Sequence, residues 1–388
     1  MGIYSEYLDN LKGNFQAISD ERKRQLQRIS ELRGGRDVLV FAADISKGNA
    51  PISIHYNDLL PFSDQLSNLS GNGLDLILET PGGQGEIAED IVRLTREKYD
   101  DIAVIVPGCA KSAGTIIAMA ANEILMEPIS ALGPIDAQLS WRGKFFSADA
   151  LLEGMEKIKK EVEKTGTLNK AFIPVLQGIS PGELQSAENA LEFAKRLVTD
   201  WLARYKFQNW ETHSSTGNPV TEEEKLTRAN EIAARLCDHR HWLTHGRSIK
   251  LSDFLEMRLL VTDYSQNADL ADAIRRYYTL LQMTFTTNIY KVFETPISQI
   301  YRFMGAQVPP PQANPQESRS ATIEITCGQC KTTSRIQANF EPDHPIQEGS
   351  LPFPGDNRFA CPGCGAVIDL SDARRQIEAQ SKRAIVSS

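Results

Sequence analysis

In Gly108-Cys109-Ala110-Lys111-Ser112-Ala113-Gly114-Thr115, a serine stands between an apolar run, Ile102 to Val106, and a helix of small residues. The N-terminus of a helix favours developing negative charge, so Ser112 is a candidate nucleophile and the amide of Ala113 a candidate oxyanion donor. Thirty residues earlier, Glu79-Thr80-Pro81-Gly82-Gly83 closes the run Leu74 to Leu78 in a similar turn. Paired glycines let a backbone approach a ligand closely and aim an amide at it. Taken singly, the first motif usually marks no more than a serine N-cap, and the second reads equally as an ordinary strand-to-helix turn. Two such turns at successive strand ends shift the reading toward acyl transfer. A second chemistry lies near the C-terminus, where Cys327-Gly-Gln-Cys330 and Cys361-Pro-Gly-Cys364 offer four thiolates suited to tetrahedral zinc. Four sulfurs fill the coordination shell, which makes this a structural zinc and not the catalyst.

These residues need a scaffold. Three apolar runs, Val38 to Ala42, Leu74 to Leu78 and Ile102 to Val106, alternate with helical patterns around Asn57 to Leu66 and Glu86 to Lys98. Strand alternating with helix predicts an α/β fold with a mostly parallel sheet and crossover helices. Residues 3 to 33 repeat apolar positions at helical spacing and predict one amphipathic N-terminal helix, ended by Gly34-Gly35. From about 146 to 236 the pattern is predominantly helical, and the aromatic stretch 265 to 304 predicts one or two helices more. The expected organisation is an N-terminal helix over 1–35, a catalytic domain over 36–262, a helical extension over 263–305, a Pro-rich linker over 306–320 and a zinc ribbon with a C-terminal helix over 321–388.

Composition narrows the class. A chain of 388 residues with 41% hydrophobic content can bury one large core and still carry a small module, and a net charge of −8 argues against a general nucleic-acid binder. No apolar run reaches the length of a membrane span and the first residues lack a signal peptide, so a soluble, cytoplasmic protein without membrane association is expected. In that compartment paired cysteines bind metal rather than form disulfides.

The succession Thr80-Pro81-Gly82-Gly83, Lys111-Ser112-Ala113-Gly114-Thr115, Ala120-Ala121-Asn122-Glu123-Ile124 and Leu132-Gly133-Pro134-Ile135-Asp136 resembles the serine dehydrogenase proteinase family. These are relatives of the ClpP and SppA peptidases within the ClpP/crotonase fold. The resemblance covers roughly residues 36 to 262 and implies a superhelix of repeated β-β-α units with added helices. It also implies that Ser112 is the nucleophile and that the Gly83 and Ala113 amides form the oxyanion hole. Where ClpP carries its histidine this chain has Asp136, and Thr244-His245-Gly246-Arg247 looks like the family's Thr-His motif. The implied triad is therefore Ser112, Asp136 and His245, with acid and base exchanged in order relative to ClpP; triads are defined by roles, not by order. Gly246 and Ser248 depart from the family motif, and His239 and His241 just upstream offer other imidazoles or a metal site. SppA-type relatives use a lysine base instead, for which Lys170 is the alternative here.

The expected function is that of a cytoplasmic serine endopeptidase acting on protein or peptide substrates, assembled as a homo-oligomer, with the ribbon recruiting a substrate or partner. No organic cofactor is expected. The competing expectation is a catalytically silent scaffold of the same fold that binds a protein or nucleic acid through the ribbon.

Overall fold

The computed structural model describes residues 2–141, 144–213, 215–305, 319–381 and 383–386. They fall into two compact units, 1–305 and 306–388. In the first, helices α1 (Ile3–Leu11) and α2 (Phe15–Leu32) lead into β1 (Asp37–Ala43), α3 (Leu59–Ser67), β2 (Gly73–Glu79), α4 (Gly85–Lys98) and β3 (Asp101–Ile105). Then follow β4 (Cys109–Ala110), α5 (Ala113–Met119), β5 (Glu123–Met126), β6 (Ala131–Leu132) and a hairpin of β7 (Gln138–Trp141) with β8 (Lys144–Ser147). Helices α6 (Ala148–Thr165), α7 (Ile173–Gln177), α8 (Pro181–Trp201), α9 (Glu222–Leu236), α10 (His239–Trp242) and α11 (Leu251–Glu256) precede β9 (Thr262–Asp263). Helix α12 (Ala268–Phe285) and strands β10 (Ile289–Glu294) and β11 (Gln299–Phe303) complete the unit.

Seven strands form one sheet in the order β11-β10-β1-β2-β3-β5-β9, parallel from β1 to β9. The apolar runs of β1, β2, β3 and β5 are buried on both faces, as parallel strands covered by helices must be. One face packs Leu39, Leu76 and Val104 against α3, α4, α5 and α8; the other packs Val38, Val40 and Ile77 against Leu26 and Ile29 of α2 and Ile274, Tyr277 and Leu281 of α12. The short pair β4–β6 stands apart from the main sheet and carries the chain into α5. The expected α/β architecture, a mostly parallel sheet with crossover helices, is what the chain adopts.

Two expectations are corrected. The N-terminal segment is two helices, because Lys12 (φ 47°) and Gly13 (φ 71°) turn the chain in left-handed conformations. The segment 263–305 is not a helical extension: after α12, the Thr286-Thr287-Asn288 turn leads into β10 and β11, and β10 pairs antiparallel with β1. Ile-Tyr-Lys-Val-Phe-Glu is rich in β-branched and aromatic residues, a strand composition that the aromatic count obscured. Its lysine and glutamate are buried because each has a partner there: Lys291 donates to Asp58 (2.7 and 2.9 Å), and Arg22 of α2 bonds Glu294 (3.0 Å).

In the second unit β12 (Ser320–Thr326) pairs antiparallel with β13 (Thr333–Asn339), beside which runs the short β14 (Leu351–Pro352). A separate hairpin joins β15 (Arg358–Ala360) to β16 (Val367–Asp369), followed by α13 (Ser371–Ser381). Its core is small, chiefly Ile336, Ala338, Phe340, Phe353, Phe359, Leu370, Ile377 and Ile385. Most of the expected Pro-rich linker, 306–318, lies outside the described residues.

Candidate active site

Ser112 occupies the N-cap position of α5, yet its side chain makes no capping bond. Its backbone is at φ 51° and ψ −114°, a conformation an L-residue adopts only when its surroundings impose it. The surroundings are hydrogen bonds across β4: Thr80 N donates to the Cys109 carbonyl (2.9 Å), Lys111 N to the Thr80 carbonyl (3.0 Å) and Cys109 N to the buried Glu79 carboxylate (2.8 Å). The turn is thereby held against the end of β2 with its hydroxyl unspent, which argues against a merely capping serine.

The glycine turn is arranged for an exposed amide. Ile54 N donates to the Gly82 carbonyl (2.8 Å) and the Ile54 carbonyl accepts from Gln84 N (2.9 Å). In that parallel pairing the Gly83 N–H points away from Ile54. A Cβ at Gly83 would collide with the Ile54 backbone, so only glycine permits the approach.

The acid and the imidazole come from a loop clamped at both ends. Leu132 exchanges backbone bonds with Ile249 (3.1 and 2.9 Å), and Ile135 N donates to the Leu236 carbonyl (2.9 Å). The histidine segment 237–248 is thus an excursion between two points anchored to the Gly133-Pro134-Ile135-Asp136 strand end. Thr115 of α5 ties that strand end to the helix that Ser112 opens, its Oγ1 lying 3.0 Å from the Ala110 carbonyl and 3.0 Å from the Gly133 amide. Asp136 Oδ1 accepts from Ser147 Oγ (2.6 Å), while Oδ2 lies 3.7 Å from His245 Nδ1 and 3.6 Å from His239 Nδ1. Neither Asp136 Oδ2 nor His245 Nδ1 has a hydrogen-bond partner.

Ser112, Ala113, Gly82, Gly83, Asp136 and His245 all line one cleft of about 590 Å³, with Ile54, Ile116, Ile135 and Phe193 forming apolar wall. Burial lowers the His245 pKa below the usual 6.5, opposed by the Asp136 carboxylate and assisted by the Lys111 and His239 charges. The imidazole is therefore neutral, and able to accept a proton, over a wider range than a free histidine.

Residues 67–174 match the family described as ClpP-like SDH-type serine proteinase. The similarity to SDH-type serine proteinases is thus carried by this segment of the chain. The segment contains Gly83, Ser112, Ala113 and Asp136 and ends before the histidines. Two proteins of Methanocaldococcus jannaschii, both described as uncharacterized, are similar: one is 44% identical over 156 residues, covering 39% of this chain and 50% of that protein. The other is 31% identical over 136 residues, covering 34% and 47%. The chain spans about half the length of these curated relatives. A membrane-bound stomatin-specific protease overlaps 57% of this chain and 79% of its own at a TM-score of 0.32 and 13% identity. The same protease with a substrate peptide overlaps at 0.23 and 17%, over 50% and 78%. These scores are too low to superpose the sites.

Lys170 does not line the Ser112 cleft. It stands in a single helical turn, exposed, whereas a lysine base must be desolvated. The lysine that reaches the histidine loop is Lys111, whose Nζ donates to the Gly246 carbonyl and lies 3.4 Å from Ser248 Oγ, fastening that loop to the Ser112 turn. His241 turns away to line a different pocket beside Trp242 and Arg235. Three contributors escaped sequence reasoning. Ser147 announces itself only as the N-cap of α6, Glu79 as the residue before a turn, and His55, which also lines the cleft, in no pattern at all. His55 has its Nδ1 engaged by the Asn57 amide (3.1 Å).

The four C-terminal cysteines converge. The ligand atoms of Cys327, Cys330, Cys361 and Cys364 lie within 4.8 Å of one another, with Sγ–Sγ separations of 3.7 Å (Cys327–Cys364) and 3.5 Å (Cys330–Cys361). A tetrahedral ion about 2.3 Å from each sulfur requires edges near those lengths, so the cluster fits a metal ion in ribbon geometry. Among the described residues no helix is long and apolar enough to cross a membrane.

Proposed function

We propose that this chain is a serine peptidase in which Ser112, His245 and Asp136 act as nucleophile, base and orienting acid, and the Gly83 and Ala113 amides as oxyanion donors. The observation that carries the reading is the unspent Ser112 hydroxyl on a left-handed turn, opening on the same cleft as an imidazole backed by a buried carboxylate. Of the two imidazoles lining that cleft, His245 is the one set beside a carboxylate.

With Nδ1 turned to Asp136, His245 offers Nε2 to the serine. Ser112 Oγ attacks the scissile carbonyl carbon as Nε2 takes its proton, and the carbonyl oxygen becomes an oxyanion between the two amides. The C–N bond then breaks, and the departing amine leaves with the proton from His245. Water attacks the resulting ester, giving its proton to Nε2, and the carboxylic acid departs as the proton returns to Ser112. Asp136 holds the imidazole and stabilises its charged form, while Ser147 fixes the carboxylate. The 3.7 Å gap between His245 and Asp136 must close as the imidazolium forms; such bonds are often long before substrate arrives.

The substrate class is protein or peptide. The four cysteines hold zinc, which folds the C-terminal module rather than taking part in hydrolysis, and that module serves substrate or partner recruitment in a cytoplasmic homo-oligomer. Fluorophosphonate labelling of the purified protein, with the adduct located by mass spectrometry, tests the nucleophile. Modification of Ser112, absent in Ser112→Ala, is the expected result; a folded, zinc-loaded protein that takes no label at Ser112 would favour the silent scaffold.

A further inference from the structure

We infer that His239 is a second positioning residue of this site: it shares the Asp136 carboxylate with His245, supports it when neutral, and draws it away when protonated. The inference rests on the catalytic reading above and adds a residue to it. Asp136 has one oxygen committed, to Ser147; the other is buried, unpartnered, and about equally distant from two imidazole Nδ1 atoms. Leaving a buried acceptor unpaired is costly, so a donor within reach is drawn to it. Here two donors are within reach.

The backbone enforces this sharing. Asp238 caps α10 by accepting from His241 N (3.2 Å), placing His239 at its first position. Trp242 is buried and its Nε1 donates to the Arg235 carbonyl (2.7 Å), and Leu243 at φ 64° reverses the chain so that His245 returns to the same carboxylate. His245 lines the cleft and His239 does not, which divides their roles. Charged and titratable groups around His239 are Asp136 from the strand end, Asp149 and Glu153 from α6, Arg240 from its own helix, which pairs with Glu153, and His245 itself. Protonated His239 is thus met by carboxylates and completes a bond to Asp136 Oδ2. His245 then loses its partner and faces a cation just as it must become one.

The expected signature is an acid limb of acylation rate against pH that is steeper than one proton in the wild type and falls to one proton in His239→Gln. Glutamine keeps a donor for Asp136 but does not titrate. His239→Leu, which removes the donor, should lower the acylation rate at high pH roughly tenfold or more, and glutamine should recover most of that loss. Imidazole titration by NMR in the full, zinc-loaded chain carrying Ser112→Ala reads the coupling without turnover: His239→Gln should move the His245 midpoint upward. An unmoved midpoint with an unchanged limb overturns the inference. Because the titration needs no activity, failure of Ser112 to acylate would sink the peptidase reading while leaving the shared carboxylate separately decided.

Discussion

Ser112, Asp136 and His245 are brought together by backbone bonds more than by their own side chains, and their electrostatics make definite demands. The His245 pKa is lowered chiefly by burial, so the acid limb of Ser112 acylation should lie below pH 6.5. Asp136 opposes that shift and Lys111 assists it. Asp136→Asn should therefore push the limb lower still while cutting the rate by about 10³–10⁴-fold, and Lys111→Met should raise it. Stopped-time labelling across pH measures both; limbs moving the opposite way would mean a base other than His245. The same lowered pKa means that folded protein resists protonating His245, so its contribution to stability is present above the unfolded value of 6.5 and is lost as pH falls below it.

At the scale of elements, the ends of β2 and β4 are joined through Glu79, which accepts from Cys109 N and, at 3.3 Å, from the Tyr278 hydroxyl of α12. Burial raises its pKa to about 7. A carboxyl held protonated by the fold stabilises below its unfolded pKa and loses that contribution as pH rises toward 7, so Glu79→Gln should flatten the stability curve over that range by up to about 3 kcal/mol. Urea titrations at pH 5 and 8 would show it; equal pH dependence in both proteins would refute it. Much of this layout was legible. Strands β1, β2 and β3 announced themselves as apolar runs between helical periods, and the glycine-bearing turns after β2 and β3 were visible, whereas the short parallel strands β5 and β9 were not read. Strand β10 was not, because Lys291 and Glu294 interrupt its apolar pattern and only their distant partners Asp58 and Arg22 make burial affordable. The Ser147–Asp136 bond was equally hidden, since a capping serine looks the same whether or not a carboxylate lies behind it.

At the scale of the whole molecule, the two units draw on different sources of stability. The C-terminal core is small and its four cysteines converge on one point, so a strong chelator should unfold the C-terminal module while leaving the first unit intact. Calorimetry should then lose one transition and keep the other, with Cys361→Ser reproducing the effect; a single unaltered transition would show that the module folds without metal. In the larger unit, Arg22 and Glu294 are fully buried together, and Arg22→Ala should cost about 3–5 kcal/mol by stranding the carboxylate. That pair also bears on synthesis. Strand β1 has β2 on one side, but its other edge stays open until β10 leaves the ribosome, and α2 lacks both Glu294 and the α12 surface until then. A nascent chain can therefore make Ser112 and His245 long before it can hold them on a finished sheet. Closure by the β10–β11 hairpin therefore delays completion of the sheet beneath the cleft until nearly the whole first unit has been translated.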